Sequence, residues 1–228
     1  MKKTITLILA FLLLCFGLSA CTDLKDNNDD NDGDGGNENS SPTTAANILV
    51  TYFSCTGNTE KIAEMIARET GGALHEIQPQ IPYTEADLDY YSGGRADREQ
   101  ADPAARPAIA NSVENMPDYD VIFLGYPIWH GQAPKIIYTF LESYDFAGKT
   151  IVPFCTSGSS GVGSSADNLR PLAQNADWKN GTRFSSKTTE SEIKAFVEQL
   201  NLDLKTDTNM LKIAVGNTTL TASLADNA

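Results

Sequence analysis

The chain has 228 residues, which is enough for one sizeable α/β domain or two small ones. It contains 30 Asp and Glu but only 17 Lys and Arg, so its formal net charge is −13. Nucleic acid is therefore not an expected partner, because the phosphate backbone binds to basic surfaces. Hydrophobic residues make up 41% of the chain, which excludes a wholly disordered protein, and four cysteines are too few for a disulfide scaffold.

Residues 1–20 have the pattern of a secretory signal peptide. Lys2 and Lys3 precede an apolar run over residues 5–18 that is too short to span a membrane. The following Leu-Ser-Ala-Cys at 18–21 resembles a bacterial lipobox, which implies that Cys21 is acylated and becomes the mature N-terminus. The resemblance predicts a lipid anchor on a membrane outside the cytoplasm, in the cell envelope, either periplasmic or surface-exposed. An ordinary signal with a chance cysteine is the alternative.

After the acylated cysteine, residues 21–46 form a predicted disordered acidic tether. Residues 22–40 contain seven acids and one base and so supply −6 of the net charge. Large apolar side chains are almost absent, so the segment cannot bury enough surface to offset the entropy lost on ordering. We therefore expect a solvated spacer between the anchor and the domain.

Residues 47–202 are predicted to form one domain in which strands alternate with helices. An apolar, β-rich run at 47–53 predicts a buried strand, and apolar residues at helical spacing predict a helix over about 60–70. The same patterns predict strands at 73–77, 121–126, 150–155 and 182–185, and helices at 134–144, 165–173 and 190–200. Such alternation is typical of a doubly wound parallel sheet. Residues 78–117 form a long insertion to which we assign no contacts.

A hydroxyl-rich turn, the first loop, lies between the first strand and the first helix. It consists of Ser54, Cys55, Thr56, Gly57, Asn58 and Thr59. Free N–H groups at the start of a helix and nearby hydroxyls favour a phosphate group. Because the loop contains no Lys or Arg, we predict a phosphate monoester held by hydrogen bonds alone. The alternative is that Ser54 and Thr56 only cap the helix.

The first loop resembles the FMN phosphate loop of the flavodoxin family, and the resemblance extends over residues 48–201. It implies an α/β fold with a five-stranded parallel sheet of order 2-1-3-4-5. It also implies FMN as a non-covalent cofactor at the carboxyl ends of the strands, where the strand order reverses.

Two further loops carry the same resemblance. The second loop, after the third strand, contains Pro127, Ile128, Trp129, His130 and Gly131. The resemblance implies that Trp129 stacks on the isoalloxazine ring; packing of Trp129 in the core is the alternative. His130 stands where related chains often carry a second Trp, and we interpret it as a solvated loop residue, with a proton relay as the alternative.

The third loop follows the fourth strand and is rich in serine and glycine. Its predicted cofactor-binding residues are Thr156, Ser157, Gly158, Ser159 and Gly161. Glycines let backbone amides come close to a ligand, and the family uses this loop to bind the pyrimidine edge of the flavin. A surface loop without a ligand is the alternative.

We predict neither catalytic residues nor a metal site. His75 and His130 are the only histidines, so a His-rich metal site is excluded, and no Gly-x-Ser-x-Gly motif is present. Cys55 and Cys155 are predicted to be free thiols. The strand order separates them by two strand spacings, about 9.6 Å, which exceeds the reach of a disulfide.

The predicted role is transfer of electrons at low potential to or from an unknown redox partner protein or small acceptor. Without the tether, residues 41–228 still carry −9, and negative charge destabilises an anionic reduced flavin. Each ~1.4 kcal/mol of such destabilisation lowers a one-electron potential by about 59 mV. One alternative is an FMN-dependent NAD(P)H:quinone-type oxidoreductase. The other is a non-redox surface interaction module with a decayed flavin site.

Residues 203–228 combine a polar spacer with a predicted partial β-hairpin around Gly216-Asn217. The pattern resembles the start of a cyclophilin-like domain, either truncated or vestigial, and we expect it to be poorly packed. A chance hairpin-like sequence is the alternative.

Overall fold

The computed structural model describes residues 46–202. The predicted signal peptide, the Cys21 anchor, all but the last residue of the tether and the predicted hairpin of 203–228 lie outside the described residues. Within residues 46–202, the helices are too short or too polar for any of them to cross a membrane.

A parallel β-sheet forms the centre of the domain. Its strands are β1 (Ile48–Tyr52), β2 (Ala73–Glu76), β3 (Val121–Pro127), β4 (Thr150–Thr156), β5 (Asp177–Trp178) and β6 (Thr182–Phe184). Their order is β2-β1-β3-β4-β5, and β6 also pairs with β4. Every pairing is parallel, so the predicted order 2-1-3-4-5 is confirmed.

Six α-helices connect and cover the strands. They are α1 (Asn58–Thr70), α2 (Glu85–Leu88), α3 (Arg95–Ala101), α4 (Lys135–Glu142), α5 (Ser164–Leu169) and α6 (Glu190–Gln199). The sequence patterns predict all of these except α2 and α3, which lie in the insertion. The predicted helix at 165–173 is divided, because a 3-10 turn that contains Pro171 takes over at Arg170.

The two faces of the sheet bury separate hydrophobic clusters. Leu49 and Leu124 belong to one cluster with Ile136 of α4, whereas the next residues along the strands face the other side. There Val50 packs in a second cluster with α1 and α6. Because side chains alternate along a strand, continuous apolar runs such as β1 are what a sheet covered on both faces requires.

The fifth position of the sheet differs from the predicted single strand at 182–185. Two short strands, β5 and β6, occupy it, and both pair with β4. The Ile151 carbonyl accepts a hydrogen bond from Lys179 N at 2.9 Å. The backbone groups of every second residue of β4, counted from Ile151, therefore point toward β5 and β6. Pro153 is the next of them and has no N–H to donate, which interrupts the ladder between the two strands.

Both cysteines of the described part, Cys55 and Cys155, are free, as predicted. Cys155 is buried in β4, two strands away from the end of β1 that precedes Cys55. Burial raises the pKa of the Cys155 thiol to about 12, so this thiol is protonated at neutral pH.

Candidate functional site

The loops after β1, β3 and β4 meet at the carboxyl edge of the sheet, as predicted. Thr59 and Thr156 join the first loop to the third through their buried hydroxyl oxygens, which lie 2.7 Å apart. Ile128 N donates to the Thr156 carbonyl at 3.1 Å, which joins the second loop to the third. These contacts hold three segments that are distant in sequence at one end of the sheet.

The first loop leaves the start of α1 open. Gly57 precedes the helix in the left-handed region (φ 76°), and no side chain caps the helix. The alternative interpretation, in which Ser54 and Thr56 cap α1, is therefore wrong. The first N–H groups of a helix have no intrahelical partner, so they remain available to an anion here.

Two hydroxyl groups of the first loop are positioned beside this helix start. Asn58 Nδ2 donates to Thr56 Oγ1 at 3.0 Å, which fixes the Thr56 side chain. Ser54 Oγ is buried and has no hydrogen-bond partner among residues 46–202. Burying a hydroxyl without a partner is unfavourable, so this atom fits a loop that completes its hydrogen bonds with a ligand.

Two adjacent clefts open at this edge. The larger cleft has a volume of about 500 Å³ and the smaller cleft about 160 Å³. The larger is lined by Thr56, Asn58, Pro127, Thr156, Ser157, Gly158, Ser185, Ser186 and Lys187. The smaller is lined by Ser54, Cys55, Thr56, Thr59, Leu88, Tyr90, Ala96, Asp97, Pro127, Trp129 and His130. Thr56 and Pro127 line both, so the clefts flank the first and second loops.

Five predicted site residues line neither cleft. Gly57 acts through its backbone conformation, Ile128 packs against the core, and Gly131 forms a tight turn (φ 76°). Ser159 and Gly161 are exposed farther along the third loop. The structure thus brings eleven of the sixteen predicted residues to the clefts, and the contacts of each with a cofactor stay predictions.

Trp129 lies at the boundary between the core and the smaller cleft. Its ring packs edge-on against Phe53 at 5.5 Å and against Tyr83 at 5.3 Å between centroids. Its backbone exchanges two hydrogen bonds of 2.9 Å with Gln132, which closes the turn of the second loop. Core packing, the alternative interpretation, therefore describes part of the indole, while stacking on a flavin stays a prediction.

His130 is not the solvated residue that we expected. Its Nε2 lies 2.7 Å from Asp97 Oδ1, and Tyr90 stacks on its ring at 4.4 Å with an interplanar angle of 20°. Tyr91 contacts the same ring edge-on at 5.4 Å. The hydrogen bond from His130, together with one from Gly93 N, lowers the pKa of Asp97. The imidazole is thus held against an ionised carboxylate at the smaller cleft.

Helix α3 of the insertion supports the second loop at several points. Gln100 Nε2 donates to the carbonyls of Trp129 and Ala133, at 3.1 and 3.2 Å, and Lys135 N donates to Gln100 Oε1 at 3.1 Å. Together with Asp97, this glutamine connects α3 to both ends of the loop. No sequence pattern located α3, because Asp97 and Gln100 are polar and meet the second loop only in the fold.

Arg183 of β6 holds the third loop. Its Nε donates to Ser157 Oγ at 3.1 Å, and its Nη2 donates to the Ser157 carbonyl at 3.0 Å and to the Gly158 carbonyl. Ser157 Oγ also donates to the Ser160 carbonyl. No local sequence pattern points to Arg183, because its partners Ser157 and Gly158 lie 26 and 25 residues away in the chain.

The doubly wound sheet and the three loops at its carboxyl edge define a protein of the flavodoxin-like class. The family model described as flavodoxin matches residues 47–200, which is more than half of the chain. The chain therefore belongs to the flavodoxin family, and the predicted membership is confirmed.

Solved structures agree with this assignment. A candidate flavoprotein from Bacteroides eggerthii DSM 20697 is 44% identical with a TM-score of 0.65, and the match covers 69% of this chain and 99% of that one. A candidate flavoprotein from Bacteroides uniformis ATCC 8492 is 38% identical with a TM-score of 0.65, and this match covers 68% of this chain and 99% of that one. A flavoprotein from Lactobacillus acidophilus NCFM, solved in complex with FMN, shares the fold at 23% identity with a TM-score of 0.52. That match covers 67% of this chain and 99% of the Lactobacillus chain. No curated protein matches the chain.

Proposed function

We propose that this protein binds FMN non-covalently and transfers electrons at low potential. The observation that carries the proposal is the open start of α1 beside the unpartnered, buried Ser54 hydroxyl. Family membership supports FMN as the ligand, as does the relative from Lactobacillus acidophilus solved in complex with FMN. When bound, FMN supplies the electron-transfer chemistry, and the protein supplies binding, orientation and electrostatics.

The chain's own residues divide this work among the three loops. Ser54 and Thr56 offer hydroxyls to the phosphate, and the backbone N–H groups at the start of α1 add donors. Trp129 and His130 bring aromatic surface to the smaller cleft, and Ser157 with Gly158 brings backbone groups to the larger one. The site thus combines donors for an anionic group with aromatic surface for a flat ring.

The charge of the domain supports a low potential. Residues 46–202 contain 20 Asp and Glu and 12 Lys and Arg, a net charge of −8. A negative surface disfavours the addition of electrons to a bound cofactor, which lowers its reduction potential. Anchoring through Cys21 would place this carrier at a membrane of the cell envelope, where a redox partner protein or a small acceptor exchanges electrons with it.

The first step of the test is a titration of the full chain with FMN, in which quenching of the flavin fluorescence reports binding. Binding is expected at one FMN per chain, and a protein that takes up no FMN would favour the non-redox surface module. The loaded protein is then mixed anaerobically with NADPH or NADH in a stopped-flow instrument. We expect no bleaching of the flavin absorbance with either nucleotide and full bleaching with dithionite. Rapid reduction by a nucleotide would instead support the NAD(P)H:quinone-type oxidoreductase.

A further inference from the structure

A fourth segment reaches the larger cleft. Ser185, Ser186 and Lys187, directly after β6, line it together with Thr56 and Asn58 of the first loop. This segment lies about 130 residues along the chain from the first loop and carries none of the motifs that predicted the site.

Hydrogen bonds fix the position of this segment. Ser185 N donates to Thr188 Oγ1 at 3.0 Å, and Thr188 N donates back to the Ser185 carbonyl at 3.1 Å. Lys187 N donates to Ser185 Oγ at 3.2 Å. Lys61 Nζ of α1 donates to the Ser186 carbonyl at 3.3 Å. The turn is therefore attached to the same helix whose start the first loop leaves open.

The charge of Lys187 contrasts with that of its surroundings. Residues 46–202 carry a net charge of −8, yet among the residues lining the larger cleft Lys187 is the one that is charged. Its Nζ makes no ion pair or hydrogen bond within the described part of the chain, whereas Lys61 is engaged with Ser186. A cation in a cleft without acids attracts anions even on an acidic protein.

We propose that Lys187 supplies the counter-charge for the phosphate monoester of FMN and so makes the site prefer FMN to riboflavin. The inference rests on the proposed function and differs from the expectation that hydrogen bonds alone hold the phosphate. That expectation considered only residues 54–59, whereas the fold brings the cation from the other end of the domain. An ammonium group beside a phosphate dianion makes stronger hydrogen bonds than a neutral donor does.

The experiment measures the dissociation constants of FMN and riboflavin for the full chain by flavin fluorescence at low and high salt. Lys187→Met removes the charge, and Lys187→Arg keeps it. Lys194→Met is the matched control, because Lys194 is an exposed residue of α6 that lines neither cleft. Urea unfolding of each ligand-free variant establishes that it folds.

Lys187→Met is expected to weaken FMN binding about 10-fold at low salt and to leave riboflavin binding unchanged. The dissociation constants of Lys187→Arg and Lys194→Met for FMN should stay within about threefold of the wild-type value. High salt should reduce the difference in FMN affinity between Lys187→Met and wild type. Equal losses of FMN affinity in Lys187→Met and Lys194→Met would overturn this inference and leave the proposed function standing. Equal losses of FMN and riboflavin affinity in Lys187→Met would do the same. A wild-type chain that binds neither flavin would overturn the proposed function and this inference with it.

Discussion

Removal of the Ser54 hydroxyl separates two effects that a functional site combines, the stability of the free protein and its affinity for a ligand. Ser54 Oγ is buried and unpartnered within the described residues. An unsatisfied buried polar group costs about 1–3 kcal/mol, so Ser54→Ala should raise the free energy of unfolding of the ligand-free protein by about 1 kcal/mol after some packing is lost.

The same substitution should weaken FMN binding. A hydrogen bond to a charged group contributes about 1.5–3 kcal/mol, so its loss corresponds to a roughly 10- to 100-fold higher dissociation constant. Urea unfolding without FMN gives the stability, and quenching of flavin fluorescence gives the affinity. We expect the two to change in opposite directions.

Thr51→Val is the matched control for this experiment. Thr51 Oγ1 is also buried without a partner in the described part of the chain, but Thr51 lies within β1 and lines neither cleft. Its replacement by the isosteric valine should raise the free energy of unfolding and leave FMN affinity unchanged. Wild-type affinity in Ser54→Ala, or a loss of the same size in Thr51→Val, would refute the assignment of Ser54 to the phosphate.

Three further predictions concern the scaffold around the site. Gly125→Ala would place a methyl group 2.2 Å from Phe154 Cζ, so urea titration should show about 1–3 kcal/mol less stability; an unchanged midpoint would contradict this packing. The pKa of Asp97 is lowered, so its carboxylate stabilises the fold above the ordinary Asp pKa of about 3.9, and this contribution is lost as pH falls through the lowered value. The unfolding free energies of wild type and Asp97→Asn should therefore converge in acid, and a constant difference would argue against the His130 contact. Cys155 is buried with a pKa raised to about 12, so iodoacetamide at about pH 8 should label it only in the unfolded protein, as mass spectrometry would show.

The strands and helices that bury apolar surface were predictable from the sequence. The run at 47–53 became β1 at Ile48–Tyr52, and the helix expected from residue 60 became α1, because period and apolar content agree there. Helix α3 was not predictable in this way, since Ala96 is its one buried residue. Hydrogen bonds join it to Ile81, Tyr83 and Trp129 of other segments, and a single-sequence pattern does not contain such contacts.

Some residues of the candidate site were likewise predictable from local sequence, and others were not. Its three loops follow strands directly, so residues such as Thr56, Pro127 and Thr156 could be placed from local sequence once the parallel sheet was inferred. Lys187 and Asp97 reach the clefts only through tertiary contacts of other elements. For His130, the local sequence favoured solvent exposure, but Asp97 and Tyr90 lie far from it in the chain and are close to it in the fold.

The insertion therefore contributes to the shape of the site as well as covering it. His130 has a left-handed backbone (φ 48°), a conformation that costs a non-glycine residue about 1–3 kcal/mol. The bond from its ring to Asp97 and the bonds from Gln100 to the carbonyls on either side of it offset that cost. The first loop is held from another side, because the Thr59 hydroxyl lies 2.7 Å from the Thr156 hydroxyl of β4. Changes in α3 should consequently affect the second loop, where Trp129 and His130 line the smaller cleft, more than the start of α1.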